Sequence, residues 1–148
     1  MDKSAIPGKA LSPTPQIGSA GAGTSVIVLP MRVLIADDQK SVGTSLAELV
    51  ELCHHEVVEV VGSGLEAIQA YARHHPDVVL MDYQMPKLNG ATACRNIVAK
   101  YPDARVILVS GAVREVGESG AVAMLLKPVR LDTLYAALYD AAQPRASA

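Results

Sequence analysis

Five polar residues along the chain have the types needed to handle a phosphoryl group. They are the acids Asp37, Asp38 and Asp82, the hydroxyl residue Ser110 and the amine Lys127. At an effective dielectric constant near 20, two carboxylates about 5 Å apart repel each other by roughly 3 kcal/mol. Three acids that meet therefore need a bound cation or a raised pKa. Oxygen ligands in an open site suit Mg²⁺, whereas an amine and a hydroxyl suit phosphoryl oxygens. The carboxylate of Asp82 could then attack phosphorus to form an aspartyl phosphate.

Each of these residues also has a plain structural explanation when it is taken alone. Asp37 or Asp38 could cap a helix, and Asp82 could belong to a turn. Ser110 could be an inert hydroxyl at a strand end, and Lys127 a solvated lysine before a turn proline. The joint interpretation is favoured because all five residues follow apolar runs, so one sheet would bring them to one edge.

The apolar runs predict five β-strands, at residues 32–37, 57–61, 78–82, 105–110 and 122–127. In three of them the apolar residues are almost continuous, which is typical of parallel strands buried on both faces. Ligands of an open parallel sheet bind beyond the carboxyl ends of the strands. The strand predictions therefore place the five polar residues together.

Segments of helical periodicity connect the predicted strands. Three apolar stripes recur at spacings of three and four residues. Their members are Val42, Leu46, Leu49, Val50 and Cys53; Cys94, Ile97, Val98 and Tyr101; and Leu131, Leu134, Tyr135, Leu138 and Ala142. Ser63 and Glu66 have the spacing of a capping box, which predicts a helix from just after Ser63 to near His75. This alternation predicts a doubly wound α/β sheet with right-handed connections.

The connection between the fourth and fifth strands is expected to depart from that pattern. Residues 111–120 contain three glycines and little helical periodicity. We therefore predict a crossover that is short, irregular or nearly without helix.

Composition excludes several classes of function. Of the 148 residues, 50% are apolar, the formal net charge is −2, and there are five tyrosines but no Phe or Trp. Without a basic excess or aromatic platforms, nucleic acid is not the expected partner. No apolar run approaches the ~18 residues of a membrane span. The two cysteines, Cys53 and Cys94, cannot build a disulfide framework and indicate a reducing cytoplasm.

The chain divides into one domain with flanking segments. Residues 1–30 hold four of the nine prolines and four of the eleven glycines, so we expect a flexible leader. Residues 31–142 form the predicted domain, and residues 143–148 are expected to fray. Because only six residues follow Ala142, we expect no DNA-binding module after the domain.

From Met31 to about Ala142 the chain resembles the receiver domain of two-component response regulators. The resemblance rests on VLIADD at residues 33–38, VVLMDYQMP at 78–86 with Gly90, VILVSG at 106–111 and LKP at 126–128. The 44 residues from Asp38 to Asp82 are also usual in that family. The resemblance implies a flavodoxin-like (βα)5 fold, a parallel sheet in the order 2-1-3-4-5 with its switch point between the first and third strands.

The resemblance also implies a role for each site residue. Asp82 is the phosphoacceptor, Ser110 hydrogen-bonds the phosphoryl group, and Lys127 pairs with a phosphoryl oxygen or, before phosphorylation, with Asp82. The implied Mg²⁺ ligands are Asp38 and Asp82 directly, Asp37 partly through water, and the backbone carbonyl of Gln84. The bond between Lys127 and Pro128 is expected to be cis, because proline permits that isomer.

Two features depart from the family pattern. Only 17 residues lead from Ser110 to Lys127, fewer than is usual, and the missing residues fall in the fourth helix. Met124 stands where an aromatic residue is usual. Both departures touch the face of the fourth helix, fifth strand and fifth helix, which the family commonly uses for output and dimerisation. We therefore expect intact phosphorylation chemistry with an altered signal relay and dimer mode.

The expected function is that of a stand-alone response regulator in the cytoplasm. It would accept a phosphoryl group from a sensor histidine kinase or a histidine phosphotransfer protein. It would catalyse its own phosphorylation and slow dephosphorylation without being a conventional enzyme. It would signal to a downstream protein target by contact, as a monomer or weak dimer, without binding nucleic acid or membrane directly.

Two other functions remain as alternatives. A phosphorylation-independent interaction module would keep the fold and lose the switch, but the presence of Asp38, Asp82 and Lys127 argues against it. A Mg²⁺-dependent phosphatase with an aspartyl-phosphate intermediate would need a second acid two residues after the nucleophile, where Gln84 stands.

Overall fold

The computed structural model describes residues 29–113 and 117–144 of the 148-residue chain. The predicted leader lies outside the described residues except for its last two, and so do residues 145–148 of the predicted tail. The described elements are β1 (Arg32–Ala36), α1 (Lys40–Leu52), β2 (Glu56–Val61), α2 (Gly64–His74), β3 (Val78–Asp82), α3 (Gly90–Lys100), β4 (Val106–Ser110), β5 (Ala123–Leu126) and α4 (Leu131–Ala142). Among the described residues, no helix is long and apolar enough to cross a membrane.

The five strands form one parallel sheet in the order β2-β1-β3-β4-β5. This order confirms the predicted fold class, and the strand bounds agree with the predicted ones to within one residue at each end. The connection from β2 to β3 passes β1, so the strand order changes direction between β1 and β3. The switch point therefore lies where the resemblance places it.

Helices cover both faces of the sheet, which explains the continuous apolar runs. Every residue of β3 and β4 is buried. Alternate strand side chains point to opposite faces, so Leu34 and Val79 pack with α2 and α3, whereas Val33 and Ile35 pack with α1 and α4. The predicted core positions Cys53 and Cys94 are both buried.

The predicted helix cap at Ser63 is confirmed, but the Glu66 carboxylate bonds to a different residue than a capping box would give. The hydroxyl of Ser63 accepts a hydrogen bond from the Glu66 N–H, so Ser63 caps α2. The Glu66 carboxylate, however, accepts from the N–H of Gly62, 2.9 Å away, rather than from Ser63. The box is therefore offset by one residue, and it fixes the turn between β2 and α2 as well as the helix.

The predicted apolar stripe of α4 is wrong at two positions. Leu134 and Leu138 are fully buried, but Leu131 and Tyr135 are 43% and 52% exposed. Ala141 completes the buried stripe at the spacing i, i+4, i+7. Tyr135 is adjacent to Leu134 and so points about 100° away from it, which carries the ring out of the core.

The connection from β4 to β5 is as short as predicted. Its described residues contain a three-residue 3₁₀ helix at Gly117–Ser119 and no α-helix. Residues 114–116 lie outside the described part of the chain. Val122 rejoins the sheet by donating its N–H to the Val106 carbonyl at 2.8 Å.

His55 ties the start of β1 to the turn before β2, and it makes folding stability depend on pH. Its Nδ1 accepts the Met31 N–H at 2.9 Å, which requires an unprotonated nitrogen. Burial lowers the pKa of His55, His54 lowers it further, and Asp77 opposes them. As pH falls below about 6.5, the unfolded chain binds a proton before the folded protein does, so stability is lost.

We predict that His55→Asn, which keeps an acceptor at that position and cannot titrate, loses less stability than the wild type when pH falls from about 7 to about 5. Urea unfolding at the two pH values measures the difference. Equal losses in the two proteins would contradict this role of His55.

Candidate functional site

The carboxyl ends of four strands bring the chemistry-bearing residues to one edge of the sheet. Asp37 and Asp38 follow β1, Asp82 ends β3 and Ser110 ends β4. The register of the sheet pairs Asp82 with Val109, next to Ser110. Lys127 follows β5, and its N–H donates to the Ser110 carbonyl at 2.8 Å. Parallel pairing alone therefore sets these residues side by side.

The three acids form a cluster of carboxylates. Asp37, Asp38 and Asp82 each offer an oxygen, and these oxygens all lie within 4.8 Å of one another. Asp37 and Asp82 are buried, with 2% and 4% of their surface exposed, whereas Asp38 is exposed. Carboxylates alone, with one open side, are the ligands that a hard divalent cation prefers, so the cluster could bind Mg²⁺.

Neither Asp37 nor Asp38 caps α1, which removes their plainest structural explanation. The N-cap residue of α1 is Gln39, whose side chain makes no capping bond. Asp37 Oδ1 accepts the Gln39 N–H at 2.8 Å. That bond orients the Asp37 carboxylate at the end of β1 and leaves Oδ2 turned towards Lys127.

Lys127 supplies the positive charge of the cluster. Its Nζ lies 3.1 Å from Asp82 Oδ1 and 3.4 Å from Asp37 Oδ2. The peptide bond from Lys127 to Pro128 is cis, as expected. The ammonium thus bridges the two buried carboxylates.

Burial and charge shift the pKa values of this pair. Burial raises the pKa of Asp82, the hydrogen bond from Lys127 opposes that rise, the Asp37 carboxylate adds to it, and the Gln84 N–H lowers it. Burial lowers the pKa of Lys127, but Asp82 and Asp37 outweigh this effect, so its pKa is raised. Lys127 therefore stays protonated at neutral pH, and an added positive charge would relieve the remaining repulsion.

Ser110 and Gln84 stand beside the cluster in different ways. Ser110 is 1% exposed, and its hydroxyl oxygen accepts the Ala112 N–H at 3.2 Å, so the hydroxyl proton remains to be donated. Gln84 follows Asp82 by two residues and donates its backbone N–H to that carboxylate. The role of Ala112 was not predicted, although a hydroxyl bonded to the N–H two residues ahead is a common local turn.

Gly90 shapes the loop that holds Asp82. A Cβ atom at Gly90 would stand 2.1 Å from the Asp82 carbonyl oxygen, so only glycine fits there. The Gly90 N–H donates to the Tyr83 carbonyl at 2.7 Å, and Asn89 caps α3 through the Thr92 N–H. The start of α3 is thereby fixed against the backbone of Asp82.

Comparisons with known proteins agree with this geometry. Residues 33–139 match the response regulator receiver domain family. The chain is 35% identical over 114 residues to the transcriptional regulatory protein PdtaR of Mycobacterium tuberculosis, a match that covers 74% of this chain and 56% of PdtaR. It therefore spans little more than half of that relative. It is also 35% identical over 118 residues to the chemotaxis protein CheY of Listeria monocytogenes, covering 76% of this chain and 99% of CheY.

Solved structures show the same fold. The structure of a CheX–CheY–BeF3–Mg²⁺ complex from Borrelia burgdorferi superposes with a TM-score of 0.72 at 27% sequence identity. The match covers 76% of this chain and 89% of that one.

Repulsion within the acid cluster predicts an unusual effect of removing one charge. Without divalent ions, Asp38→Asn should raise the free energy of unfolding, because it removes the repulsion between Asp38 and the other two carboxylates. The expected gain is only about 1 kcal/mol, since solvent screens much of the repulsion on this exposed carboxylate. Urea unfolding in the presence of a chelator measures the change.

Glu48→Gln is the matched control, since Glu48 is an exposed acid on α1 away from the cluster. Its stability should change by less than about 0.5 kcal/mol. A loss of stability in Asp38→Asn would show that the three carboxylates do not repel as described.

Proposed function

This chain belongs to the response regulator receiver domain family, and we propose that it accepts a phosphoryl group on Asp82 from a phosphohistidine. Receiver domains are signalling domains of two-component systems rather than conventional enzymes. The observation that carries the proposal is the position of the Asp82 carboxylate, which lies 3.1 Å from Lys127 Nζ and within the acid cluster.

The transfer needs one nucleophilic displacement. A carboxylate oxygen of Asp82 forms a bond to phosphorus while the bond from phosphorus to the donor's imidazole nitrogen breaks. The imidazole leaves as a neutral ring when its other nitrogen carries a proton. The product on Asp82 is a mixed anhydride of a carboxylic and a phosphoric acid.

Lys127 and Ser110 then bind the transferred group. Phosphorylation removes the negative charge of the Asp82 carboxylate and so weakens its ion pair with Lys127. The Lys127 ammonium then pairs with a phosphoryl oxygen. The Ser110 hydroxyl donates its proton to another phosphoryl oxygen, while its own oxygen can keep the Ala112 N–H. Both groups stabilise charge that is present only when the phosphoryl group is there.

A magnesium ion completes the proposed site. Asp38 and Asp82 would hold it directly, Asp37 partly through water, and the Gln84 carbonyl would be the remaining protein ligand. When bound, the ion neutralises charge on the phosphoryl oxygens. Support comes from the donor set, three carboxylates within 4.8 Å, and from the Borrelia relative, whose structure was solved with BeF3 and Mg²⁺.

The proposed partners are proteins. A sensor histidine kinase or a histidine phosphotransfer protein supplies the phosphoryl group, and a downstream protein is contacted by the phosphorylated domain. The Borrelia relative was solved in complex with CheX, which supports output by direct contact. The domain, residues 31–142, would act in the cytoplasm as a monomer or weak dimer, and it would hydrolyse its acylphosphate slowly.

Asp82→Asn should lower labelling by radioactive acetyl phosphate by more than about 100-fold, because an amide oxygen is a far weaker nucleophile than a carboxylate. Asp103→Asn, at an exposed acid outside the cluster, should be labelled like the wild type. Equal label on Asp82→Asn and the wild type would mean that the acceptor lies elsewhere. A wild type without any label would favour the phosphorylation-independent interaction module.

Labelling should also require a divalent cation that the acid cluster binds. A chelator should abolish labelling of the wild type, and added Mg²⁺ should restore it. The double variant Asp37→Asn, Asp38→Asn should show no Mg²⁺-dependent labelling, since it removes two of the three carboxylates. Circular dichroism checks that the variant is folded. Undiminished labelling of that variant, or of the wild type without divalent ions, would contradict the assigned ligands.

A further inference from the structure

We propose that one stripe of α3 couples the state of Asp82 to the β4–β5 connection. The stripe consists of Gly90, Cys94 and Val98, which are spaced four residues apart and so lie on one side of the helix. Its first residue touches the Asp82 backbone, and its other two touch the connection. The inference rests on the proposed function of Asp82 and adds a path by which a change at Asp82 would reach the β4–β5 connection.

The first contact is between Gly90 and the phosphorylation loop. The Gly90 Cα packs so closely on the Asp82 carbonyl that no side chain would fit. The Gly90 N–H is also bonded to the Tyr83 carbonyl at 2.7 Å. A change in the backbone after Asp82 must therefore move the first turn of α3 or break these contacts.

The second contact is between two buried side chains, those of Cys94 and Ser119. Ser119 is 4% exposed and Cys94 is fully buried. Ser119 lies close enough to the Cys94 sulfur to lower the pKa of that thiol, which burial raises, and its hydroxyl oxygen accepts the Ala121 N–H at 3.1 Å. Ser119 thus joins α3 to the chain that leads into β5.

The third contact is made by Gly120 against Val98. Gly120 has φ +83°, a conformation that favours glycine. A Cβ atom placed there would lie 3.3–3.4 Å from three carbon atoms of Val98. The connection is therefore seated on α3 at two consecutive residues, one helical turn apart on the helix.

The β4–β5 connection is short, so its contacts with α3 involve much of its described length. Its described residues contain one 3₁₀ turn, at Gly117–Ser119, and this turn packs against α3. Ala121 and Met124 pack against the same core as α3, and Met124 has no ring through which to relay a movement. An α-helix moves as a rigid rod over one or two turns, so a shift at Gly90 reaches Cys94 and Val98 directly.

Hydrogen exchange of the full chain, with Mg²⁺ alone and with Mg²⁺ plus beryllofluoride, tests this coupling. The reporters are the hydrogen-bonded amides of Ala121 and Val122. In the wild type, beryllofluoride should change their exchange rates by about twofold or more, which corresponds to a coupling free energy of about 0.5 kcal/mol. Cys94→Ala should reduce the change at both amides to less than about 1.5-fold. Ser119→Ala should do the same at Val122, which is the reporter for that variant because the substitution removes the acceptor of the Ala121 N–H.

Two control variants separate coupling from loss of packing. Cys94→Ser keeps a polar atom opposite Ser119 and should keep most of the response. Cys53→Ala removes the other buried thiol, in the core on the opposite face of the sheet, and should respond like the wild type. Thermal unfolding confirms that each variant is folded at the temperature used.

The outcomes distinguish this inference from the proposed function. Exchange in residues 83–90 should respond to beryllofluoride in every variant, because the Asp82 site is intact. If beryllofluoride changes exchange in residues 83–90 of the wild type but not at Ala121 and Val122, the coupling alone is overturned. A full response of these two amides in Cys94→Ala would also overturn the coupling alone. If beryllofluoride leaves exchange in residues 83–90 of the wild type unchanged, the proposed function is overturned and the coupling with it.

Discussion

The central constraint on this molecule is that three carboxylates meet at one edge of a sheet, where, among the described residues, the ammonium of Lys127 pairs with two of them. Their oxygens lie within 4.8 Å of one another, where each pair repels by roughly 3 kcal/mol at an effective dielectric constant near 20. Lys127 lies within 3.4 Å of both buried acids and offsets only part of that repulsion. The imbalance makes the site receptive to a cation, and the cation and the ammonium together make it receptive to a phosphoryl group.

The parallel sheet keeps the charges in place although they repel. β3 and β4 are buried along their whole length, and strands held between two layers of helices cannot splay to separate Asp82 from its neighbours. The loop after Asp82 is equally constrained, because Gly90 leaves no free space above the Asp82 carbonyl. The backbone around Asp82 therefore has little room to adjust to a chemical change at that residue. The first turn of α3 lies directly against this backbone, and the short β4–β5 connection packs on the same helix.

The sequence was sufficient to predict the strands, the edge of the sheet at which the five polar residues meet, and the short fourth crossover. Continuous apolar runs mark buried parallel strands, and their carboxyl ends fix where the polar residues meet. The strand order itself came from the resemblance of the motifs to a family. The sequence did not predict which residues of α4 face the core, because its stripe contains the neighbours Leu134 and Tyr135 and only packing decides between them. It also did not predict the contact between Cys94 and Ser119, since contacts between irregular segments and helices leave no periodic signal. The described structure does not test the predicted leader, because residues 1–28 lie outside it.

Reductive trapping of the phosphorylated protein tests the central claim most directly. Borohydride reduces a mixed anhydride to an alcohol and leaves carboxylates and phosphate esters unchanged. After treatment with a small phosphodonor and Mg²⁺, peptide mass spectrometry should find homoserine in place of aspartate at residue 82, and at no other acid. Homoserine at Asp37 or Asp38, or phosphate on a serine or histidine with residue 82 unchanged, would contradict the account.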